Sequence, residues 1–209
     1  MARILSGSIL TGASGRIGDL VTYNLRGTQV VRTLPETSKK RKRSPLQQQH
    51  ISSFKTQHAT ARSVKKTIID RIWSHLSFSG GANPYNQFIK RNRAAYGGTD
   101  HIKFPELMVI SDGNLLPASE FTVQWEESML KLSWGIGETG KYSALTDRLN
   151  IVILTFRSSL TMMDTEVRRA QKNADINFSS GSAGPVEGFV FWSSENDEHF
   201  SPSLYWICR

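Results

Sequence analysis

Cationic side chains are the residues of this sequence whose types and spacing most directly suggest chemistry. Five stand in succession at 39–43, in a stretch without an apolar residue, and others follow between residues 55 and 93. Lysine and arginine contact phosphate oxygens, and each such contact releases counterions from a polyanion. The candidate nucleic-acid-binding residues are Lys39, Lys40, Arg41, Lys42, Arg43, Lys55, Arg62, Lys66, Lys90, Arg91 and Arg93.

The charge of the chain divides between its halves. Residues 1–100 hold 17 Lys and Arg against 4 Asp and Glu, whereas residues 101–209 hold 9 against 14. Such asymmetry suits the first half to a polyanion and the second to solvent, another protein or the basic half of a neighbouring copy. Two alternatives explain the same cations, namely a solvated linker at 39–43 and an acidic protein partner. Because no base-reading motif is present, we expect recognition by charge and shape.

A glycine run, GASGRIG, places Gly12, Gly15 and Gly18 three residues apart. This spacing is similar to the glycine motif with which short-chain dehydrogenases bind a nicotinamide cofactor. Those enzymes also use Tyr-x-x-x-Lys, and none of the five tyrosines here has a lysine four residues later. We therefore predict that these glycines and Gly27 shape tight turns through positive φ. An NAD(P)-dependent oxidoreductase is a distant third alternative.

The remaining reactive residue types form no recognisable catalytic or metal-binding pattern. The five histidines are scattered, no His-x-x-x-His is present, and the single cysteine, Cys208, fits a plain strand residue. The sequence thus predicts a protein that is not an enzyme and holds no metal or cofactor. No run approaches the ~20 apolar residues that span a bilayer. We therefore expect no membrane insertion. The N-terminus also lacks the longer h-region of a secretory signal, so we expect a reducing compartment.

Three elements must position the cations. Residues 19–34 predict a β-hairpin that turns at Arg26-Gly27. Ser44-Pro45 predicts the start of a helix reaching Trp73, and Asn83-Pro84 the start of a second, ending near residue 96. Trp73 is a candidate for docking against the second half of the chain. The inward stripe expected on the first helix is Ile51, Phe54, Ala61, Val64, Ile68 and Ile72.

After residue 100 the chain changes to short apolar runs separated by turn residues. The predicted strands are 107–110, 121–125, 129–134, 149–157, 174–178, 186–192 and 203–207, and 161–172 reads as a polar excursion or a short helix. About seven short strands in such a length are typical of an immunoglobulin- or fibronectin-like antiparallel β-sandwich. We predict an α+β fold in which the hairpin and two basic helices precede this sandwich. The expected domains are 1–43, 44–100 and 101–209.

The first 35 residues also resemble a family of Bacteroidota proteins known only as a domain of unknown function. The shared pattern has a glycine-rich start, an SG[KR][IV]G segment, and a hairpin that ends in proline. The matching positions are Gly7, Ile9-Leu10, Gly12, Ser14-Gly15, Arg16, Ile17-Gly18, Gly27, Val31-Arg32 and Pro35, with looser matches at 47–49, 83–86 and 116–117. The resemblance implies an architecture and a bacterial or phage setting, and no activity.

Together these patterns predict a structural or binding protein whose basic half contacts nucleic acid or another polyanion without reading its sequence. The alternative is an assembly subunit of a phage particle or bacterial complex. In that case the sandwich makes contacts with protein partners or other copies of the chain. The expected location is the cytoplasm, or the virion if a phage encodes the chain.

Overall fold

The computed structural model describes residues 2–3, 11–34, 42–76, 83–126, 129–135, 142–177 and 185–208 of the 209-residue chain. The chain divides into two compact units, residues 1–43 and 44–209. None of the helices within the described ranges is long and apolar enough to cross a lipid bilayer.

The N-terminal unit is a four-stranded antiparallel sheet. Its strands are β1 (Ala2–Arg3), β2 (Gly15–Ile17), β3 (Leu20–Leu25) and β4 (Thr28–Thr33), in the order β1-β4-β3-β2. The hairpin predicted over 19–34 is present as β3 and β4. Its two-residue turn has Arg26 at φ 50° and Gly27 at φ 80°, the primed geometry that suits the twist of a hairpin.

The glycine run lies in the same unit. Gly12, Gly15 and Gly18 have φ values of 81°, 116° and 59°, a region in which a side chain is strained. Gly18 is in the turn from β2 to β3, so a strand follows the run at Leu20–Leu25. A dinucleotide-binding turn would open a helix at this point. Gly12 and Gly18 therefore lie in turns, whereas Gly15 begins the strand β2.

Little apolar surface is buried in the N-terminal sheet. Among its described residues only Thr22 and Val30 are buried. Ile17, Leu20 and Leu25 retain 49%, 37% and 54% of their accessible surface. Leu20 and Leu25 are five positions apart on β3, so they lie on opposite faces of this sheet, and each face keeps an exposed apolar side chain.

The helices of the second unit begin where the sequence predicts. Helix α1 spans Pro45–Ser63, where Ser44 and Gln47 form a reciprocal capping box, and it continues as a π-helix over Lys65–Trp73. Helix α2 spans Pro84–Tyr96 and is capped by the side chain of Asn83. Both helices have proline in the first turn, where its missing N–H costs no intrahelical bond.

The second unit also holds two antiparallel sheets. The remaining strands are β5 (Ser119–Glu126), β6 (Met129–Gly135), β7 (Arg148–Thr155), β8 (Ser159–Arg168), β9 (Asn173–Asn177), β10 (Val186–Ser193) and β11 (Leu204–Cys208). One sheet has the order β5-β6-β9, and the other has the order β11-β10-β7-β8. Together with the helices, these sheets make a mixed α+β fold.

Two of the sequence predictions are wrong in this region. Residues 107–110 form no strand, because Asn92 hydrogen-bonds both the N–H and the carbonyl of Val109, and the indole of Trp73 donates to the carbonyl of Ile110. Residues 161–168 belong to the strand β8, so the predicted short helix is limited to one 3-10 turn at Arg169–Gln171. That strand lies at the edge of its sheet, where polar residues protect against unwanted pairing and hide the strand pattern.

In the second unit, the sheet β11-β10-β7-β8 is the middle of three layers, between the three-stranded sheet and the helices. One face presents Ile151 and Val190 to Leu130 and Leu132 of the three-stranded sheet, within one apolar cluster. The opposite face presents Val152, Leu154, Phe189 and Phe191 to the helices, in a second cluster with Ile68, Ile72, Trp73 and Phe88. The ranges 44–100 and 101–209, which the sequence predicts as separate domains, thus lie in one compact unit and share a core.

Candidate functional site

A cleft between α1 and α2, here called the main cleft, collects several of the predicted cations. The first half of α1 and the second half of α2 line it, and its volume is about 950 Å³. Lys55, Lys90 and Arg93 lie on its walls, together with His50 and the aromatic ring of Phe54. Among the residues that the structure describes, no carboxylate lines this cleft. Since like charges are concentrated there without compensation, the main cleft is electrostatically suited to an anion.

A second, smaller cleft lies at the other end of the same antiparallel helix pair. Its volume is about 470 Å³, and its walls include His58, Arg62, Lys65 and Tyr85. The Nδ1 atom of His58 lies 3.1 Å from the Tyr85 hydroxyl oxygen, and that hydroxyl donates to the carbonyl of His58 at 3.2 Å. The second cleft therefore continues the polar, cation-bearing surface along α1.

Ion pairing separates the cations of residues 44–100 into two groups. Lys65 pairs with Asp70, Arg91 with Asp112, and Arg71 with Asp164 and Asp197. The other cations have no ion-pair partner within the described parts of the chain and are exposed: Lys55, Arg62, Lys66, Lys90 and Arg93. The unpaired group includes all three cations of the main cleft.

The structure thus distributes the predicted binding residues unevenly. Lys55, Lys90 and Arg93 come together in the main cleft, and Arg62 lines the second cleft. Lys66 is exposed and lines neither cleft, while Arg91 is held by Asp112. The remaining predicted residues belong to the N-terminal unit: Lys42 and Arg43 are exposed, and Lys39, Lys40 and Arg41 fall outside the described residues.

Phe54 is a site residue that the sequence pattern assigns to the wrong place. The apolar periodicity predicts that it points inward, yet its side chain is 57% exposed. The buried face of α1 at this height is polar, formed by Ser53, Gln57 and Thr60, with Gln57 donating to Ser53. A search for apolar spacing cannot find a polar buried face. The sequence itself shows only that an aromatic residue, Phe54, is followed directly by the cation Lys55.

Three rings follow one another along the helix pair. The ring centroids of Phe54 and His58 are 4.2 Å apart, and those of His58 and Tyr85 are 5.7 Å apart. These distances lie at or near the range in which aromatic rings attract one another. The row runs from the main cleft, where Phe54 lies with three cations, to the second cleft, where His58 and Tyr85 lie with Arg62.

A buried ion pair lies apart from this surface, in the β-rich part of the unit. Asp147 and Arg169 approach to 3.3 Å with side chains only 2% and 6% exposed. Burial raises the pKa of the Asp147 carboxyl despite a backbone N–H bond from Ala144 and the nearby guanidinium. Burial likewise lowers the pKa of Arg169. Both shifts indicate that lost hydration is the dominant cost at this pair.

Another buried carboxylate, Glu187, is satisfied in a similar way. The hydroxyl of Tyr205 donates to it at 2.6 Å, and the Nε atom of Arg157 lies 3.3 Å from it. Burial and this hydrogen bond to an anion raise the pKa of the Tyr205 hydroxyl.

Across the described residues, no three His, Cys, Asp or Glu side chains are grouped so that they could hold a metal ion.

Comparisons with family models, with curated proteins and with solved structures give no match for this chain.

Proposed function

We propose that this protein binds nucleic acid through its phosphate backbone, without reading base sequence, at the surface formed by α1 and α2. The observation that carries the proposal is the main cleft, where Lys55, Lys90 and Arg93 converge and none of the described lining residues is a carboxylate. Side chains of this kind fix a phosphate backbone electrostatically and carry no sequence information. The basic stretch at 39–43 adds a second group of cations in the same chain.

The salt dependence of binding tests this proposal. In a variant with Lys55→Gln, Lys90→Gln and Arg93→Gln, we expect affinity for a labelled single strand and a labelled duplex to fall roughly 10- to 100-fold. Since three phosphate contacts are lost, the slope of log affinity against log salt should decrease by about 2 for the single strand and by about 2.7 for the duplex. Fluorescence anisotropy over a series of salt concentrations measures both quantities.

The matched control removes three cations that line neither cleft, through Lys103→Gln, Lys131→Gln and Lys172→Gln. This variant has the same net charge as the first, and its binding should stay close to that of the natural protein. Equal losses in the two variants would mean that net charge alone attracts the ligand. Absence of binding by the natural protein to either nucleic acid at low salt would refute the proposal.

We also propose that residues 101–209 are an immunoglobulin- or fibronectin-like sandwich. Strand order supports this class: the first, second and fifth strands of the region share one sheet, and the third, fourth, sixth and seventh share the other. Immunoglobulin-like domains likewise place their first, second and fifth strands together, facing the third, sixth and seventh. Residues of both sheets share one apolar cluster, as a sandwich requires.

The unknown-function family resembled by the N-terminus remains the proposed relative, in a bacterial or phage setting.

An assembly role is the second candidate, and the N-terminal sheet favours it. Ile17, Leu20 and Leu25 are exposed there, and a basic first half combined with an acidic second half suits head-to-tail contact between copies. Size-exclusion chromatography with light scattering distinguishes the two roles, after nuclease treatment and at high salt. A nucleic-acid-free oligomer that survives high salt supports assembly as the main role. A monomer that sheds nucleic acid supports the first proposal and contradicts the second.

A further inference from the structure

The rings beside the main cleft carry an inference about which form of nucleic acid binds. Phe54 is the exposed end of the row that continues through His58 to Tyr85. Its ring is 57% exposed although it belongs to a folded helix, and it lies among the cleft residues Lys55 and Lys90. An aromatic ring that stays in contact with water forgoes the favourable burial of that part of its apolar surface. A ligand with a flat apolar face would supply that burial.

The cations are arranged around these rings in a way that fits a nucleotide chain. Lys55, Lys90 and Arg93 surround the Phe54 end, and Arg62 lies at the far end of the row. Residues 54 and 62 are eight positions apart on α1, which corresponds to about 12 Å along the helix axis. Phosphates could therefore contact cations at both ends while bases meet the rings between them.

We propose that the main cleft binds single-stranded nucleic acid, with a base stacked on Phe54 and backbone phosphates on Lys55, Lys90 and Arg93. The inference rests on the proposed function and narrows it. In a duplex the base faces are covered by neighbouring base pairs, so the ring of Phe54 would have nothing to stack on. In a single strand those faces are accessible, and stacking on aromatic side chains tolerates any base. The concave cleft also suits a thin, flexible strand.

Phe54→Leu tests the stacking step, because leucine preserves an apolar side chain and removes the ring. We expect its affinity for labelled oligothymidylate to fall roughly 5- to 100-fold, the loss of one base–aromatic contact. Its affinity for heparin, a polyanion without bases, should remain unchanged. The matched control is Phe156→Leu, which alters a 79% exposed ring that lines neither cleft and should not affect either ligand. Circular dichroism and the thermal midpoint establish that both variants are folded.

The ligand set keeps the two proposals separable. Tighter binding of oligothymidylate than of its duplex with oligoadenylate, with a selective loss in Phe54→Leu, supports the inference. Equal binding of single strand and duplex, with no effect of Phe54→Leu, would overturn the inference and leave the proposed function in place. Binding of heparin alone, without either nucleic acid, would overturn both. A loss in Phe54→Leu that is equally large for heparin would also overturn the stacking role.

Discussion

Replacing Asp147 with asparagine is expected to lower the free energy of unfolding by about 3–5 kcal/mol. The substitution leaves the guanidinium of Arg169 charged and buried, with its carboxylate partner removed. Arg169 cannot escape to solvent easily, because it donates to the carbonyl of Leu116 and stacks 4.7 Å above the ring of Trp192. An unpaired charge in such surroundings is among the most destabilising changes known for a single side chain.

The paired change distinguishes a true ion-pair effect from general damage. In the double variant Asp147→Asn with Arg169→Met, no buried charge is left, so the loss should be smaller than the sum of the two single losses. Urea unfolding followed by tryptophan fluorescence measures all four proteins. Glu126→Gln breaks the exposed pair with Lys131 and should cost about 1 kcal/mol or less. Additive losses in the double variant would contradict the prediction.

The elements that the sequence predicts well are those governed by neighbouring residues. Ser44-Pro45 and Asn83-Pro84 mark helix starts because capping and proline act within one turn. The hairpin at β3 and β4 is predicted for the same reason, through its Gly-containing turn. Each of these signals is complete within a few residues, and the rest of the fold does not override it.

The features that the sequence predicts poorly depend on contacts between distant residues. Residues 107–110 have strand composition, but their backbone groups are taken by Asn92 and Trp73 from the helices. The inclusion of the helices in the core follows from β7 and β10, which are buried on both faces. Strands that are buried on both faces have continuous apolar runs in their sequences. The runs VILT in β7 and FVFW in β10 are of this kind, and they indicate that a further layer covers the second face of the sheet.

In the candidate site, too, the residue types are visible in the sequence, whereas their pairing depends on contacts between distant residues. The sequence identifies the cations individually, but not which of them are neutralised. Arg91 is paired with Asp112, a residue beyond α2 that only the tertiary fold brings near it. The convergence of Lys55 with Lys90 and Arg93 likewise depends on antiparallel packing of two helices. The apolar spacing predicts that Phe54 is buried, and this is wrong because polar residues occupy the buried face of α1 beside it.

Trp73 provides the second large expected effect, since it joins the helices to the sheet. Its side chain is fully buried, meets the ring of Phe88 edge-on at 5.3 Å, and donates from Nε1 to the carbonyl of Ile110 at 2.9 Å. Trp73→Ala should lower the free energy of unfolding by about 3–5 kcal/mol, because it opens a large cavity in a core that cannot collapse fully. The carbonyl of Ile110 would also lose its donor.

Trp73→Phe separates packing from hydrogen bonding at this position. The smaller ring keeps most of the packing and chiefly loses the indole donor, so a cost of about 1–3 kcal/mol is expected. Urea unfolding measures both variants, and hydrogen exchange should show faster opening of α1 and α2 in Trp73→Ala before the sheets are affected. Equal losses in the alanine and phenylalanine variants would mean that the hydrogen bond, and not the ring, anchors the helices. If the helices open first, affinity for oligothymidylate should fall in parallel, because the two helices form the main cleft.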